Sequence, residues 1–206
     1  MKRGKYTILV LVITVSIIVF LLLNLLLGSV SIPFASVWNI LTGGEGDPVA
    51  WQNIILKSRL PQALTALVAG AGLSLSGLQM QTIFRNPLAG PSVLGISSGA
   101  SLGVAFVVLL SGQLGGVALS RLGFIGEVAL SIAAVVGALS VMGLIVLASR
   151  KVAGSVTLLI IGVMIGYIAN AVIGVLKFFS VEEDIKAYVI WGLGSFARVS
   201  GNLMML

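Results

Sequence analysis

Few residues of this chain could carry chemistry, because its sequence contains no histidine and no cysteine. Imidazole catalysis, thiol chemistry, disulfides and the usual zinc or haem-iron ligands are thereby excluded. Among the six acidic residues, Glu127 has a position that suits a proton-relay carboxylate. It begins an apolar run close to Arg121 in sequence, so a surface ion pair or a helix N-terminal charge is the favoured interpretation. We expect no catalytic residue, no metal site and no cofactor.

The middle of each apolar run also contains no Asp, Glu, Lys or Arg, whereas proton-coupled transporters normally place such groups inside the membrane. The sequence has no GxxxxGK[ST] phosphate-binding loop, and residues 99–103 form no nucleotide site because they follow no strand. The charged rings of ion-channel filters are missing as well. A protein of this kind that moved a solute uphill would take its energy from a partner.

One apolar run, residues 156–178, carries Gly162, Gly166, Asn170 and Gly174 at intervals of four. At this spacing we expect the four residues to share nearly one helix face. Small residues on such a face mainly allow a neighbouring helix to approach closely. Asn170 adds an amide at mid-membrane depth, where polar groups usually face the bundle interior or a water-filled cavity. Two interpretations stay open: the face only packs, or it packs and also lines a passage.

The hydrophobic composition of the chain predicts the kind of fold that positions these residues. The chain is 58% hydrophobic and 9% charged, against about a quarter charged in soluble domains, so we predict an all-α polytopic bundle in membrane lipid. Its net charge of +6 does not indicate nucleic acid, because the basic residues lie between apolar runs, where they set topology and meet lipid head groups. We predict five complete spans and the start of a sixth: residues 7–27, 60–84, 93–110, 124–148 and 156–178, then 202–206.

The segments between these spans indicate surface helices and an orientation. Residues 30–41 have helical spacing around Trp38, typical of an interfacial helix, and residues 187–194 suit a short interfacial or re-entrant helix. Residues 180–186 are expected to be acidic and exposed. The twelve Lys and Arg residues divide equally between the two sides. Three of them lie in the first five positions and all acids lie on the opposite side, so we favour a cytoplasmic N-terminus.

The most distinctive stretch is residues 59–103, which read RLPQALTALVAGAGLSLSGLQMQTIFRNPLAGPSVLGISSGASLG. Its high content of Gly, Ala and Ser is typical of membrane helices whose backbones approach one another closely. Pro87 and Pro91 remove backbone donors, so they end one helix and delay the next. The stretch predicts two membrane helices joined by a short, constrained turn at Arg85, Asn86 and Pro87 on the inner side.

This stretch closely resembles the second and third membrane helices of the permease subunits of bacterial ABC importers for iron-siderophores, haem and cobalamin. The likeness lies in the Arg-Leu-Pro start, the Asn-Pro-Leu-Ala-x-Pro turn and the Leu-Gly-x-Ser-x-Gly-Ala run, and it extends to residues 158–162 and 191–195. The resemblance implies a non-catalytic, homodimeric permease in the bacterial inner membrane. It further implies two cytoplasmic ATPase subunits that hydrolyse ATP and a periplasmic substrate-binding protein. Which of the three substrates is carried stays open.

The resemblance also implies roles for particular residues. The fifth span would line the translocation pathway, in agreement with the face that carries Gly162, Gly166 and Asn170. Polar residues at the inner start of that span form a gate in relatives. Ser155 and Thr157 match this pattern, whereas Val156 departs from it.

Arg59 matches an arginine that meets acidic residues of the binding protein in related permeases, although the next such position is Gln62 here. We expect Arg59 at the water boundary, just before Pro61 at a helix start. A positive charge is mildly unfavourable at a helix start, so we expect folding to give little reason for an arginine there. The hypothesis is therefore that its charge partner lies outside the chain.

Permeases of this kind have ten helices, and the helices that press on the ATPases follow the sixth. The chain is therefore interpreted as a single transmembrane permease domain, residues 1–206, incomplete at its C-terminus. Two other hypotheses are a self-sufficient secondary transporter or channel subunit, and a fragment without activity.

Overall fold

A computed structural model describes residues 2–111, 123–152, 154–196 and 199, and every regular element among them is helical. The all-α prediction is therefore confirmed for this part of the chain. In chain order the eight α-helices are α1 Lys2–Leu26, α2 Phe34–Leu41, α3 Val49–Ile54, α4 Leu60–Phe84, α5 Ile96–Ser111, α6 Phe124–Ser149, α7 Ser155–Phe179 and α8 Glu182–Gly192. A π-helical turn, Ile55–Arg59, joins α3 to α4 without a break.

Four helices of the described residues are long and apolar enough to cross a membrane: Gly4–Leu26, Val49–Phe84, Phe124–Ser149 and Ser155–Phe179. The predicted third span is α5, which has only 16 residues. At 1.5 Å per residue it is about 24 Å long, shorter than a hydrocarbon core of about 30 Å. The predicted count of five complete spans is therefore not confirmed. Residues 202–206, the predicted start of a sixth span, lie outside the described residues.

The chain divides into two compact units, the first of which comprises Met1–Ala71 and Ser195–Leu206. Its core is formed where the C-terminal end of α1 meets α2 and the π-helical turn: Leu25, Ile32, Val37, Ile40 and Ile55 are buried together. The predicted interfacial helix is present as α2, which buries Val37 and Ile40 and leaves Trp38 61% exposed. This unit thus holds one end of α1 and leaves the rest of that helix open.

The second unit, Gly72–Gly194, is built around α5. Its buried residues Val104, Ala105, Val108 and Leu109 pack with Ile173 and Tyr188, from α7 and α8. On the α6 side the backbones approach closely, because a Cβ atom on Gly99 would lie 2.7 Å from the carbonyl oxygen of Gly137. No side chain larger than hydrogen fits at such a distance, so glycine is what permits this packing. A short helix at the centre of the unit is therefore enclosed by three others.

Candidate functional site

The buried face of α7 comprises Gly162, Gly166, Ala169 and Ile173. Gly162 faces the segment that precedes α5, where a Cβ atom on Gly162 would lie 2.8 Å from the Cα atom of Leu94. Gly95, the next residue of the same segment, is equally close to α7. Its φ is +72°, and a Cβ atom there would lie 2.6 Å from the carbonyl oxygen of Gly162. Both glycines are required by the close approach of two backbones, so this part of the predicted site is a packing contact.

Asn170 and Gly174 lie in a different environment from the two buried glycines. Both are exposed, and a Cβ atom on Gly174 would have no atom within 4 Å apart from the adjoining backbone of its own helix. The expectation that all four residues share nearly one face is therefore wrong. The reason is geometric: at 3.6 residues per turn, each interval of four advances by about 40°, so the positions from 162 to 174 wind about 120° around the helix. The role of Gly162, Gly166 and Asn170 in a pathway stays a prediction.

The predicted gate residues lie at the N-terminal end of α7. Ser155 and Thr157 are both exposed, and the helix has Gly154 at its N-cap with no side-chain cap hydrogen bond. A Cβ atom on Gly154 would lie 3.1 Å from Oγ1 of Thr157, which brings this hydroxyl close to the helix start. The two hydroxyl-bearing side chains are thus exposed at a helix end, and their role in a gate stays a prediction.

The turn between α4 and α5 is constrained as predicted. Arg85 has a positive φ of 48°, the Leu88 amide donates to Oδ1 of Asn86 at 2.9 Å, and Gln81 Nε2 donates to the Pro87 carbonyl at 3.1 Å. An asparagine side chain that accepts a hydrogen bond from the backbone amide two residues later forms a local turn, and this turn takes the place of helical hydrogen bonding. The side chain of Arg85 itself is exposed. The inner location of this turn stays a prediction.

Arg59 does not lie free at the water boundary. It is only 7% exposed, and its guanidinium donates hydrogen bonds to the carbonyls of Leu25 at 2.7 Å, Leu26 at 3.0 Å and Val30. The expectation that folding gives little reason for an arginine at this position is therefore wrong. Its charge has three partners inside the chain.

The partners of Arg59 follow from the way α1 ends. The last four carbonyls of an α-helix have no partner within the helix, and α1 has no basic residue of its own in its last turn. A positive charge at this end is favoured by the helix dipole. Space for it is left by Gly28, where a Cβ atom would lie 2.6 Å from Nη2 of Arg59. We call this arrangement the arginine clamp: Arg59 with the carbonyls of Leu25, Leu26 and Val30.

A polar seam at the junction of α5, α7 and α8 was missed by sequence reasoning. Lys177 Nζ lies 4.7 Å from the centroid of the Tyr188 ring, and Ser180 Oγ donates to the Leu109 carbonyl at 3.0 Å. Asp184 is 5% exposed, so the expectation that residues 180–186 are exposed is wrong at this position. Periodicity within α8 was the available signal, since Asp184 and Tyr188 are one turn apart. No group of three or more metal-ligating side chains occurs among the described residues.

Several known proteins are similar to this chain in sequence. The model of the FecCD transport family matches residues 16–206. A Probable iron chelatin transport system permease protein of Helicobacter pylori is 41% identical over 149 residues, which are 71% of this chain and 41% of the relative. The Molybdate import system permease protein MolB of Haemophilus influenzae is 31% identical over 204 residues, covering 96% of this chain and 56% of the relative.

A solved structure, an inward-facing conformation of a protein assigned as a metal-chelate type ABC transporter, is also similar to this chain. It superimposes with a TM-score of 0.75 and 27% sequence identity, over 97% of this chain and 57% of the other. The chain thus spans about half the length of the curated relatives it matches.

Proposed function

Because the chain belongs to the FecCD transport family, we propose that it forms part of the transmembrane permease of an ABC importer in the bacterial inner membrane. The observation that carries the proposal is the family match, which begins at residue 16 and runs to residue 206. The similar backbone of a metal-chelate type transporter supports the same assignment. In this role the chain forms part of the route that the solute takes through the membrane and is not an enzyme.

The cargo we propose is an iron chelate, with haem and cobalamin as the alternatives within the same substrate class. Support comes from the iron chelatin permease of Helicobacter pylori, which shares 41% identity with this chain. The molybdate permease at 31% identity shows that relatives of similar sequence carry chemically different cargo. The cargo must therefore be tested directly against all four solutes.

The partners we propose are a second copy of the permease, two cytoplasmic ATPase subunits and a periplasmic substrate-binding protein. The absence of a phosphate-binding loop from the whole sequence supports a separate ATPase, because the P-loop backbone is what binds the nucleotide phosphates in such motors. With the N-terminus in the cytoplasm, the turn at Arg85, Asn86 and Pro87 would lie inside, and α2 and α8 would lie outside.

Within the permease we propose that α7 contributes to the pathway through its exposed polar residues, Ser155, Thr157 and Asn170. Gly162 and Gly166 support this indirectly, since their packing against Leu94 and Gly95 sets which side of α7 is left open. Docking of the binding protein through Arg59 stays a prediction. The arginine clamp is a second explanation for the presence of an arginine at this position.

Uptake by reconstituted vesicles tests the proposal. The 206-residue chain and, separately, the product of a longer reading frame that contains it are each reconstituted with the ATPase and binding protein of the same organism. Uptake of labelled iron chelate, haem, cobalamin and molybdate is then measured. We expect uptake of one solute only, dependent on ATP and on the binding protein. Uptake driven by an ion gradient without ATP would favour the secondary-transporter alternative. Uptake only with a longer reading frame would favour the fragment alternative.

A further inference from the structure

The short helix α8 is docked on α5 through one of its faces. Asp184, Tyr188 and Trp191 recur at intervals of four and three, so they share this face. Tyr188 is 8% exposed and belongs to the same buried cluster as Val104 and Val108 of α5. Trp191 packs against that cluster. Asp184, which is 5% exposed, lies at the N-terminal end of this otherwise apolar and aromatic face.

Most polar groups along this seam have partners. The Tyr188 hydroxyl is hydrogen-bonded to the side chain of Ser101, and the Lys177 ammonium lies over the Tyr188 ring. Ser180, at the C-cap of α7, bonds the carbonyls of Leu109 and Leu176. Ser180 thus joins the C-terminal ends of α5 and α7, the contacts of Tyr188 join α8 to both of these helices, and none of these contacts involves Asp184.

Asp184 is the exception along the seam. Its Oδ2 atom is buried and has no hydrogen-bond partner among the residues that the structure describes. A buried ionised carboxylate without a partner is costly, whereas its neutral acid form is much less so. The first turn of α8 adds two further carboxylates, Glu182 and Glu183. Placement at a helix N-terminus favours a negative charge, but it does not supply the missing partner of Oδ2.

The other charged groups around Asp184 do not offset this cost. On α8 itself the charged groups are Glu182, Glu183 and Lys186, which are all exposed, and Tyr188 is a neutral titratable group. On α7 the charged group is Lys177, which is engaged with the Tyr188 ring. The described part of α5, Ile96–Ser111, has no titratable side chain. Burial raises the pKa of the Asp184 carboxyl above its ordinary value, and the negative charge of Glu183 raises this pKa further.

We propose that docking of α8 on α5 is linked to protonation of Asp184: the docked helix holds a neutral carboxylic acid, and ionisation of that acid weakens the docking. The direction follows from linkage. A carboxyl whose pKa is higher in the docked state than in the undocked state binds its proton more tightly when docked. Docking is therefore strongest below the undocked pKa and weakens as the pH rises toward the docked pKa. Within that window the ratio of docked to undocked helix falls by up to about tenfold per pH unit.

The absence of native cysteine allows a direct test by distance measurement. Cysteines are placed at Ile190 on α8 and Val135 on α6, which are both exposed, and the purified chain is spin-labelled in lipid nanodiscs. Distances between the labels are measured across the acid to neutral range in mild denaturant, so that docked and undocked helices are both populated. We expect a narrow docked distribution at low pH and a growing broad component as the pH rises.

Three variants make the test specific to Asp184. Asp184→Asn keeps the size of the side chain and removes its charge, so we expect it to stay docked across the range. Glu183→Gln removes the like charge, so the transition should move to lower pH, and Glu182→Gln is the matched exposed control that keeps the wild-type response. A wild-type distribution that does not change with pH overturns the proposal, as does an Asp184→Asn variant that responds like wild type.

Infrared titration gives a second measurement that does not depend on undocking. The band of a protonated carboxyl that is present in wild type and absent from Asp184→Asn reports the proton on Asp184. It should disappear at a higher pH than that of an aspartate in a peptide, about 3.9. Disappearance at the peptide value refutes the proposal. Neither experiment uses the ATPase or a transported solute, so failure here leaves the assignment as a permease unaffected.

Discussion

Replacing Arg59 by lysine separates its charge from the geometry of the arginine clamp. Lysine keeps one positive charge, but its single ammonium cannot replace the planar fork that reaches the carbonyls of Leu25, Leu26 and Val30. Hydrogen bonds to charged groups contribute about 1.5–3 kcal/mol each. If lysine retains one of the three bonds, the loss at the lower limit is about 3 kcal/mol. We take the lower limit because the bonds to Leu26 and Val30 are only partly buried.

The assay is the unfolding free energy of the purified chain in mixed detergent micelles, followed by circular dichroism. Lys57→Ala is the matched control, because Lys57 lies in the same π-helical turn and is exposed. Surface substitutions of that kind change stability by less than about 0.5 kcal/mol. Gly28→Ala is a second variant, since its Cβ atom would lie 2.6 Å from Nη2 of Arg59. It should destabilise the chain in the same direction while every charge is retained.

The same variants distinguish the arginine clamp from docking. If Arg59 meets an acidic residue of the binding protein, Arg59→Glu slows association with that protein at low salt. The difference in association rate between this variant and wild type shrinks as salt rises, and Gly28→Ala leaves the association rate unchanged. If the clamp is the reason for the arginine, Arg59→Lys and Gly28→Ala both lower stability. An Arg59→Lys variant as stable as Lys57→Ala would refute the reasoning from the three internal hydrogen bonds.

Two further predictions concern packing and topology. Gly162→Leu should destabilise the chain by about 1–3 kcal/mol or prevent folding, because its side chain would overlap Leu94. Gly174→Leu should be tolerated, because an added Cβ there meets no atom within 4 Å apart from the adjoining backbone of its own helix. Equal unfolding free energies for the two variants would contradict the close contact at Gly162. Tags at the N-terminus and within residues 85–90 should be protected from impermeant reagents in intact cells, while tags within residues 43–48 and at Glu182 should react from the periplasm; the reverse labelling pattern would overturn the orientation.

The long helices were predictable because local signals define them. The predicted spans 60–84, 124–148 and 156–178 correspond to α4, α6 and α7 within one residue at each end, since prolines, glycines and charges bound the apolar runs. The helix Val49–Ile54 and the π-helical turn were not predicted. Their sequence mixes apolar residues with polar and charged ones, and the burial of Ile55 in a cluster with Leu25 and Val37 is a contact that no local pattern reports.

Residue roles were less predictable because they depend on contacts between distant parts of the chain. Arg59 bonds a carbonyl 34 residues earlier, and no periodicity reports such a pair. The burial of Asp184 was missed because its sequence neighbours Glu182 and Glu183 are exposed. Burial of the third acid depends on which face of α8 packs against the rest of the unit. For α7, four-residue spacing was read as one face, whereas the observed buried positions follow the helical period through Ala169 and Ile173.

The arginine clamp also implies an order of events during biosynthesis. Helix α1 is exposed along most of its length and buried only near its C-terminal end, at Leu25. Its apolar residues can therefore partition into lipid as soon as they emerge, with no need of the rest of the chain. Arg59 is synthesised 34 residues after Leu25, a delay of about 2–7 s at about 5–20 residues per second. We therefore expect α1 to enter the membrane before the arginine clamp forms.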